Sequence, residues 1–159
     1  VPAPADRNVT GDQIAALPLH LDKKGKARVL MVTSRDTGRW VMPKGWEMDG
    51  KKPWRAAEIE ALEEAGALGH IGREPLGRYQ YAKILDDGTR LPVIVTVYPM
   101  IVDKLRRRWK ERRERVRRWF SPKAAAKRVH EPDLAALLMQ LHEKPLKTPQ
   151  IRDLAKAAR

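Results

Sequence analysis

The sequence predicts a single α/β (α+β) domain in which a mixed β-sheet is sandwiched between helices. Three observations point there. Apolar runs suited to inner strands, Val29-Leu30-Met31-Val32-Thr33 and Val93-Ile94-Val95-Thr96-Val97, lie on either side of an Ala-, Glu- and Leu-rich helical stretch. Three proline-opened helix starts follow toward the C-terminus. The length, 159 residues, is that of one ordinary domain with room for a real core.

Taken in order, Val1 to Asp12 is polar and Pro-rich and reads as a flexible tail, Gln13 to Lys144 as the domain, and Pro145 to Arg159 as a helical extension. Gln13 to Leu21 and Ala27 to Ser34 form a hairpin around the turn Asp22-Lys23-Lys24-Gly25. Trp40-Val41-Met42 is a short extended piece, because Pro43 disfavours helix in the residue before it. Lys44-Gly45 then leads into a loop that runs through Gly50. Pro53 suits a first helical turn, and the helix it opens runs until Gly66 stops it.

Leu76 to Leu85 and Leu91 to Val102 are strands around the turn Asp86-Asp87-Gly88, the second of them central. Val116 to Phe120 is a further strand. Ser121-Pro122 caps a helix to about Val129, Glu131-Pro132 opens one to about Glu143, and Thr148-Pro149 a last one to the C-terminus. Between strands, Lys104 to Arg118 holds ten Lys or Arg against two Glu, as a charged loop or an exposed helix.

With no cysteine, disulfides and thiolate zinc sites are excluded, and four scattered histidines make a histidine-rich metal centre improbable. Any metal is expected to be hard and oxygen-bound. No run approaches the roughly 20 apolar residues that span a bilayer, so no membrane insertion is expected, and the cytoplasm is the default location. A formal net charge of +13 favours partners carrying several phosphates, small molecules or nucleic acid.

On the helix opened by Pro53, Glu60, Glu63 and Glu64 fall within an arc of about 100°, while Ile59 and Leu62 point elsewhere. Three carboxylates so close repel one another, and a divalent cation removes that penalty. The alternative is a solvated acidic face paired with Arg55 or with basic loops. Upstream, Pro43-Lys44-Gly45 supplies a tight bend and a phosphate-attracting lysine close to the same helix.

Gly45, Glu60, Ala61, Glu63, Glu64, Gly66 and Ala67 stand at the spacing of a known signature, and the chain resembles the Nudix hydrolases on that ground. The first glutamate position of the signature is Lys51 here and its arginine position is Ile59, so both members of a structural ion pair are replaced together. Trp40 to Gly45 and Arg117 to Ser121 are similar to diphosphoinositol polyphosphate and diadenosine polyphosphate phosphohydrolases. The resemblance implies that Glu60, Glu63 and Glu64 are catalytic and bind Mg²⁺ or Mn²⁺, with Gly45 as a backbone-carbonyl ligand and Glu60 also acting on the attacking water. It implies cleavage of a diphosphate linkage in a dinucleoside polyphosphate, nucleoside polyphosphate or diphosphoinositol polyphosphate. The alternatives are an RNA 5′ pyrophosphohydrolase and a non-catalytic nucleic-acid or polyphosphate binding module.

A chain of phosphates needs several cations, and Arg39, Lys44, Arg78, Lys83 and Arg90 are the substrate-binding candidates, with Arg35 in the same region. Lys104 to Arg118 suits a polyphosphate, RNA or plain solvent. Trp46 or Trp40 is placed to meet a base or ring. Asp86, Asp87, Asp103 and Glu131 are undifferentiated as a further carboxylate outside the signature.

Overall fold

The computed structural model describes residues 11–158 of the chain. Among these residues the order is β1 (Gly11–Leu21), β2 (Ala27–Thr33), β3 (Trp40–Val41), β4 (Lys44–Trp46), α1 (Pro53–Ala65), β5 (Ala67–Ile71), β6 (Gly77–Ile84), β7 (Arg90–Leu105), β8 (Arg117–Phe120), α2 (Pro122–Arg128), α3 (Pro132–Met139), a 3-10 turn at Pro145–Lys147, and α4 (Pro149–Ala157). The expected tail lies outside the described residues except for Gly11 and Asp12, which open β1.

One mixed sheet holds all eight strands, in the order β3-β2-β1-β7-β5, with β4 on β1, β6 on β7 and β8 on β2. The two long strands β1 and β7 run parallel at the centre, from Gly11 opposite Val93 to Leu19 opposite Ile101, and the other pairings are antiparallel. The outer edge of β1 is shared by two partners. Gln13, Ile14 and Ala15 pair with β4, whereas Leu19, His20 and Leu21 pair with β2.

Gln13 through Leu19 is buried without a break, as a central strand covered on both faces requires. Alternation divides its side chains between two cores. Leu17 and Leu19 join Val29, Met31, Tyr79, Val95, Leu134, Leu138 and Ile151 on one face. Ile14 and Ala16 join Leu30, Val32, Tyr98, Met100 and the alanines of α1 on the other. The side of α1 that packs is a stripe of Ala56, Ala57, Ala61 and Ala65, all fully buried, and Ile59 and Leu62 are only partly covered. Small side chains bring the helix axis close to the sheet, which sets the depth at which its glutamates sit.

The predicted hairpin, the strands flanking Asp86-Asp87-Gly88, α1 with its Gly66 stop at φ 64°, and the Ser121 cap accepting from the Ala124 amide at 3.1 Å are all present. Three features differ. Lys44–Trp46, expected as loop, is a strand on β1. Ala67-Leu68-Gly69-His70-Ile71, unassigned in the sequence, forms β5 on the distal half of β7, where Gly69 leaves no room for a Cβ against the Ile101 carbonyl. Helix α3 stops at Met139 rather than near Glu143, which adopts φ 70°. The C-terminal segment from Pro145 to Ala158 carries the expected helix, α4, and packs on the sheet, with Ile151 inside the larger core.

Candidate active site

Strand β4 and helix α1 build the site between them. Gly45 pairs with Ile14 on β1, and the carboxyl of Glu60 from α1 lies directly over it, so that any Cβ at position 45 would overlap Glu60 Oε2. The glycine is required by close approach, since it is not among the residues of positive φ. One turn along α1, Glu64 Oε1 accepts the Lys44 amide at 3.3 Å. The spacing of two glutamates four residues apart thus becomes two carboxyls beside the Lys44-Gly45 stretch of β4.

These groups open on a cavity of about 270 Å³ lined by Gln13, Ser34, Arg35, Asp36, Val41, Lys44, Gly45, Trp46, Glu60, Glu64, Lys83, Glu111 and Arg115. Burial first, then the nearby charges of Glu63 and Glu111, pushes the Glu60 carboxyl up from its usual 4.5 to about 7. Burial likewise pushes Glu64 up to about 7, with Arg115 opposing and Glu60 and Glu111 reinforcing the shift. Burial lowers Lys44, with Glu64 opposing and Lys83 and Arg39 reinforcing, and its ammonium lies 4.8 Å from the Tyr81 ring centroid.

Of the expected substrate cations, Lys44 and Lys83 line the cavity, and Arg35 does too. Arg39 instead forms a part-buried ion pair with Glu131 at 3.1 Å, joining the approach to β3 to the start of α3. Arg78 is exposed on β6, and Arg90 is exposed at the far end of the β6–β7 hairpin, outside the cavity lining. Glu63 is not among the lining residues; it is one third exposed, with Lys110 at 3.5 Å. A larger cavity of about 420 Å³, lined by Ile71, Arg73, Glu74, Gln150, Asp153 and their neighbours, includes none of these residues.

Two residues of the Lys104 to Arg118 run enter the site. Glu111 and Arg115 are joined at 2.8 Å, and Arg115 reaches Glu64 at 3.6 Å, with both partners of each pair nearly buried. Their segment is fastened to the C-terminal end of α1. Trp109 Nε1 donates to the Glu64 carbonyl at 3.0 Å, Glu111 N to the Glu63 carbonyl at 3.0 Å, Arg117 to the Ala65 carbonyl at 2.9 Å and Arg106 N to the Gly66 carbonyl at 2.8 Å. The carbonyls a helix end leaves open are thereby satisfied. Glu111 is a carboxylate outside the signature that the sequence reading did not single out. The signal available was its place as one of only two acids in a run of cations.

The donor chemistry suits a hard divalent ion. Glu60 has no cation within 4 Å and accepts no hydrogen bond among the described residues, although it is half-buried beside Glu64 and Glu111. Among the same residues no three acidic or imidazole groups already surround a single point, and Arg115 and Lys110 partly neutralise Glu64 and Glu63. An ion entering here would compete with Arg115 for Glu64, leaving Arg115 its bond to Glu111.

Fold and cavity together define an α/β domain that brings carboxylates and cations to one cavity. The chain belongs to the Nudix family, whose NUDIX domain model matches residues 12–141. Members of this family generally use divalent metal ions. The chain is 32% identical to Nudix hydrolase 12, mitochondrial, of Arabidopsis thaliana over 66% of its own length and 53% of that protein's, so it spans about half the length of the curated relatives it matches. A Caenorhabditis elegans Ap4A hydrolase binary complex shares the fold at TM-score 0.61 and 18% identity, covering 82% of this chain and 94% of that one. The NUDIX domain of Shewanella oneidensis NrtR complexed with ADP ribose does so at TM-score 0.61 and 13% identity, covering 87% and 90%. No helix among the described residues is long and apolar enough to cross a membrane.

Proposed function

We propose that this chain hydrolyses a diphosphate linkage in a nucleoside or dinucleoside polyphosphate, with Mg²⁺ or Mn²⁺ held by Glu60 and Glu64, assisted by Glu63, Glu111 and the Gly45 carbonyl. The observation that carries the reading is the Glu60 carboxyl. It lies against Gly45, with no cation within 4 Å among the described residues, in a cavity that Lys44 and Lys83 also line. The metal, when bound, neutralises phosphate oxygens and polarises water.

The side chains do the rest. Lys44, Lys83 and Arg35 draw the phosphates in and hold them against the carboxylate wall. Glu60 orients a water for in-line attack on phosphorus and takes its proton as the new P–O bond forms and the bridging P–O bond breaks. Trp46, 43% exposed at the rim with its ring laid over Gly11, gives an aromatic face for a base, which favours nucleotides over diphosphoinositol polyphosphates. Both named neighbours in complex or class, the Ap4A hydrolase and the ADP-ribose-bound domain, support a nucleotide ligand for this fold. An aqueous, Mg²⁺-rich compartment such as the cytoplasm suits this chemistry.

The test is incubation with Mg²⁺ and a panel of dinucleoside polyphosphates, nucleotide sugars, diphosphoinositol polyphosphates and 5′-triphosphorylated RNA, with products identified by mass. Glu60→Gln is expected to lower turnover by at least 100-fold while leaving the circular dichroism spectrum unchanged. Hydrolysis that survives replacement of both Glu63 and Glu64 by Gln would remove the basis of the reading.

A further inference from the structure

The segment that caps α1 has two faces. Its inner face, Trp109, Glu111 and Arg115, is locked onto the helix and the cavity by the bonds described above. Its outer face presents Arg107, Arg108 and Arg112, all exposed, which alone line a third cavity of about 300 Å³. Among the described residues none of these three has a carboxylate within 4 Å, whereas Arg115, Lys110 and Arg35 around them are all paired. Arg112 is also close enough to Arg117 to add its repulsion to the burial that lowers that guanidinium.

Three like charges facing one space are costly, and the cost falls when an anion enters. The backbone that carries them is fixed in place. The Arg112 amide donates back to the Trp109 carbonyl at 3.2 Å, and both flanks are bonded to α1. Guanidinium groups offer paired N–H donors that match the oxygens of a phosphate, and their charge does not titrate away.

We infer that Arg107, Arg108 and Arg112 form a second anion site, separate from the carboxylate cavity, that takes a phosphate group of a small polyanion. No aromatic side chain lines it, so a stacked strand of RNA is the poorer fit. The phosphate has two sources, a far phosphate of the substrate or free phosphate acting as an effector. Glu111 connects either to the catalytic cavity, since it is the chain neighbour of Arg112 and its own side chain lines that cavity. Binding is independent of turnover; only its use during hydrolysis rests on the function proposed above.

The experiment is calorimetric titration of tripolyphosphate into Glu60→Gln protein, alone and combined with Arg107→Ala, Arg108→Ala and Arg112→Ala. The triple change is expected to remove one binding event or weaken it at least tenfold. Lys23→Ala, Lys24→Ala and Lys26→Ala together, which remove the same charge from the β1–β2 turn, are expected to change affinity by less than twofold. Replacing the three arginines by Lys keeps the charge, guards against misfolding of the alanine variant, and is expected to give an intermediate loss.

In the active protein, a substrate source raises KM for a tetraphosphate but not for a diphosphate, with kcat unchanged. An effector source leaves both KM values unchanged and abolishes the effect of millimolar inorganic phosphate on the rate. Equal losses in the β1–β2 turn control, or unchanged tripolyphosphate binding in the arginine variants, overturn the inference. It is overturned in favour of RNA if 5′-triphosphorylated RNA binds more than tenfold tighter than tripolyphosphate and that excess disappears with the arginines. A protein that turns over no substrate yet loses tripolyphosphate binding with the arginines keeps this site and loses only the hydrolase.

Discussion

Replacing Glu64 by Gln should make the metal-free protein more stable at pH 8 and leave it almost unchanged at pH 5. The Glu64 side chain is 8% exposed, and its carboxyl is pushed from 4.5 to about 7 chiefly by burial. Because the folded chain holds this proton more tightly than the unfolded one, its contribution is fully present below about pH 4.5. It is lost as pH rises through about 7. A shift of that size corresponds to roughly 3 kcal/mol. The carboxyl shares Arg115 and opens on a cavity, so about 2 kcal/mol is the fairer expectation.

Gln keeps an oxygen to accept the Lys44 amide, and Arg115 keeps its 2.8 Å bond to Glu111, so little else is disturbed. The assay is urea unfolding in EDTA at the two pH values, repeated with Mg²⁺. In the parent, Mg²⁺ at a hundredfold excess over its Kd would restore about 2.7 kcal/mol. The Gln variant should gain distinctly less. If it is instead less stable than the parent at pH 8 in EDTA, the charge of Glu64 is net stabilising through Arg115. The picture of a carboxylate wall relieved by a cation then fails.

Gly45→Ala should lower kcat at least tenfold and cost about 1–3 kcal/mol, because a methyl group displaces the Glu60 carboxyl; steady-state kinetics and a thermal melt read both effects. Arg115→Ala should cost about 3 kcal/mol at pH 8 by leaving Glu64 buried without its cation and Glu111 with only Arg35 at 3.9 Å, and it should enlarge the stabilisation by Mg²⁺. Glu131→Ala should cost about 2–3 kcal/mol in denaturant unfolding, since it strands a part-buried Arg39 that already has one nitrogen without a partner. Trp46→Ala should raise KM for nucleotide substrates with little change for polyphosphates that carry no base, whereas equal effects on both would exclude stacking.

Local patterns carried most of the architecture. The hairpin, α1 and the Asp86-Asp87-Gly88 strands were legible because apolar alternation, Pro starts and Gly stops act within a few residues. Strand β5 was not, since Ala67-Leu68-Gly69-His70-Ile71 has no strand pattern of its own and is held by its register on β7. Lys44–Trp46 became a strand for the same kind of reason, a free edge on β1 that only the assembled sheet offers.

The site divides along that line. Glu60 and Glu64 could be set beside Gly45 from helical spacing and the signature, and close approach to Gly45 explains why that spacing needs a glycine. Glu111 and Arg115 lay hidden inside a run that reads as undifferentiated charge. What separates them from Arg107, Arg108 and Arg112 is which side chains face α1 once Trp109 and Arg117 have closed its C-terminal carbonyls. A charge run is therefore sorted by the hydrogen-bonding needs of the helix it meets. The capping bonds turn Glu111 and Arg115 inward to adjust the carboxylates and leave the remaining guanidiniums outward for an anion.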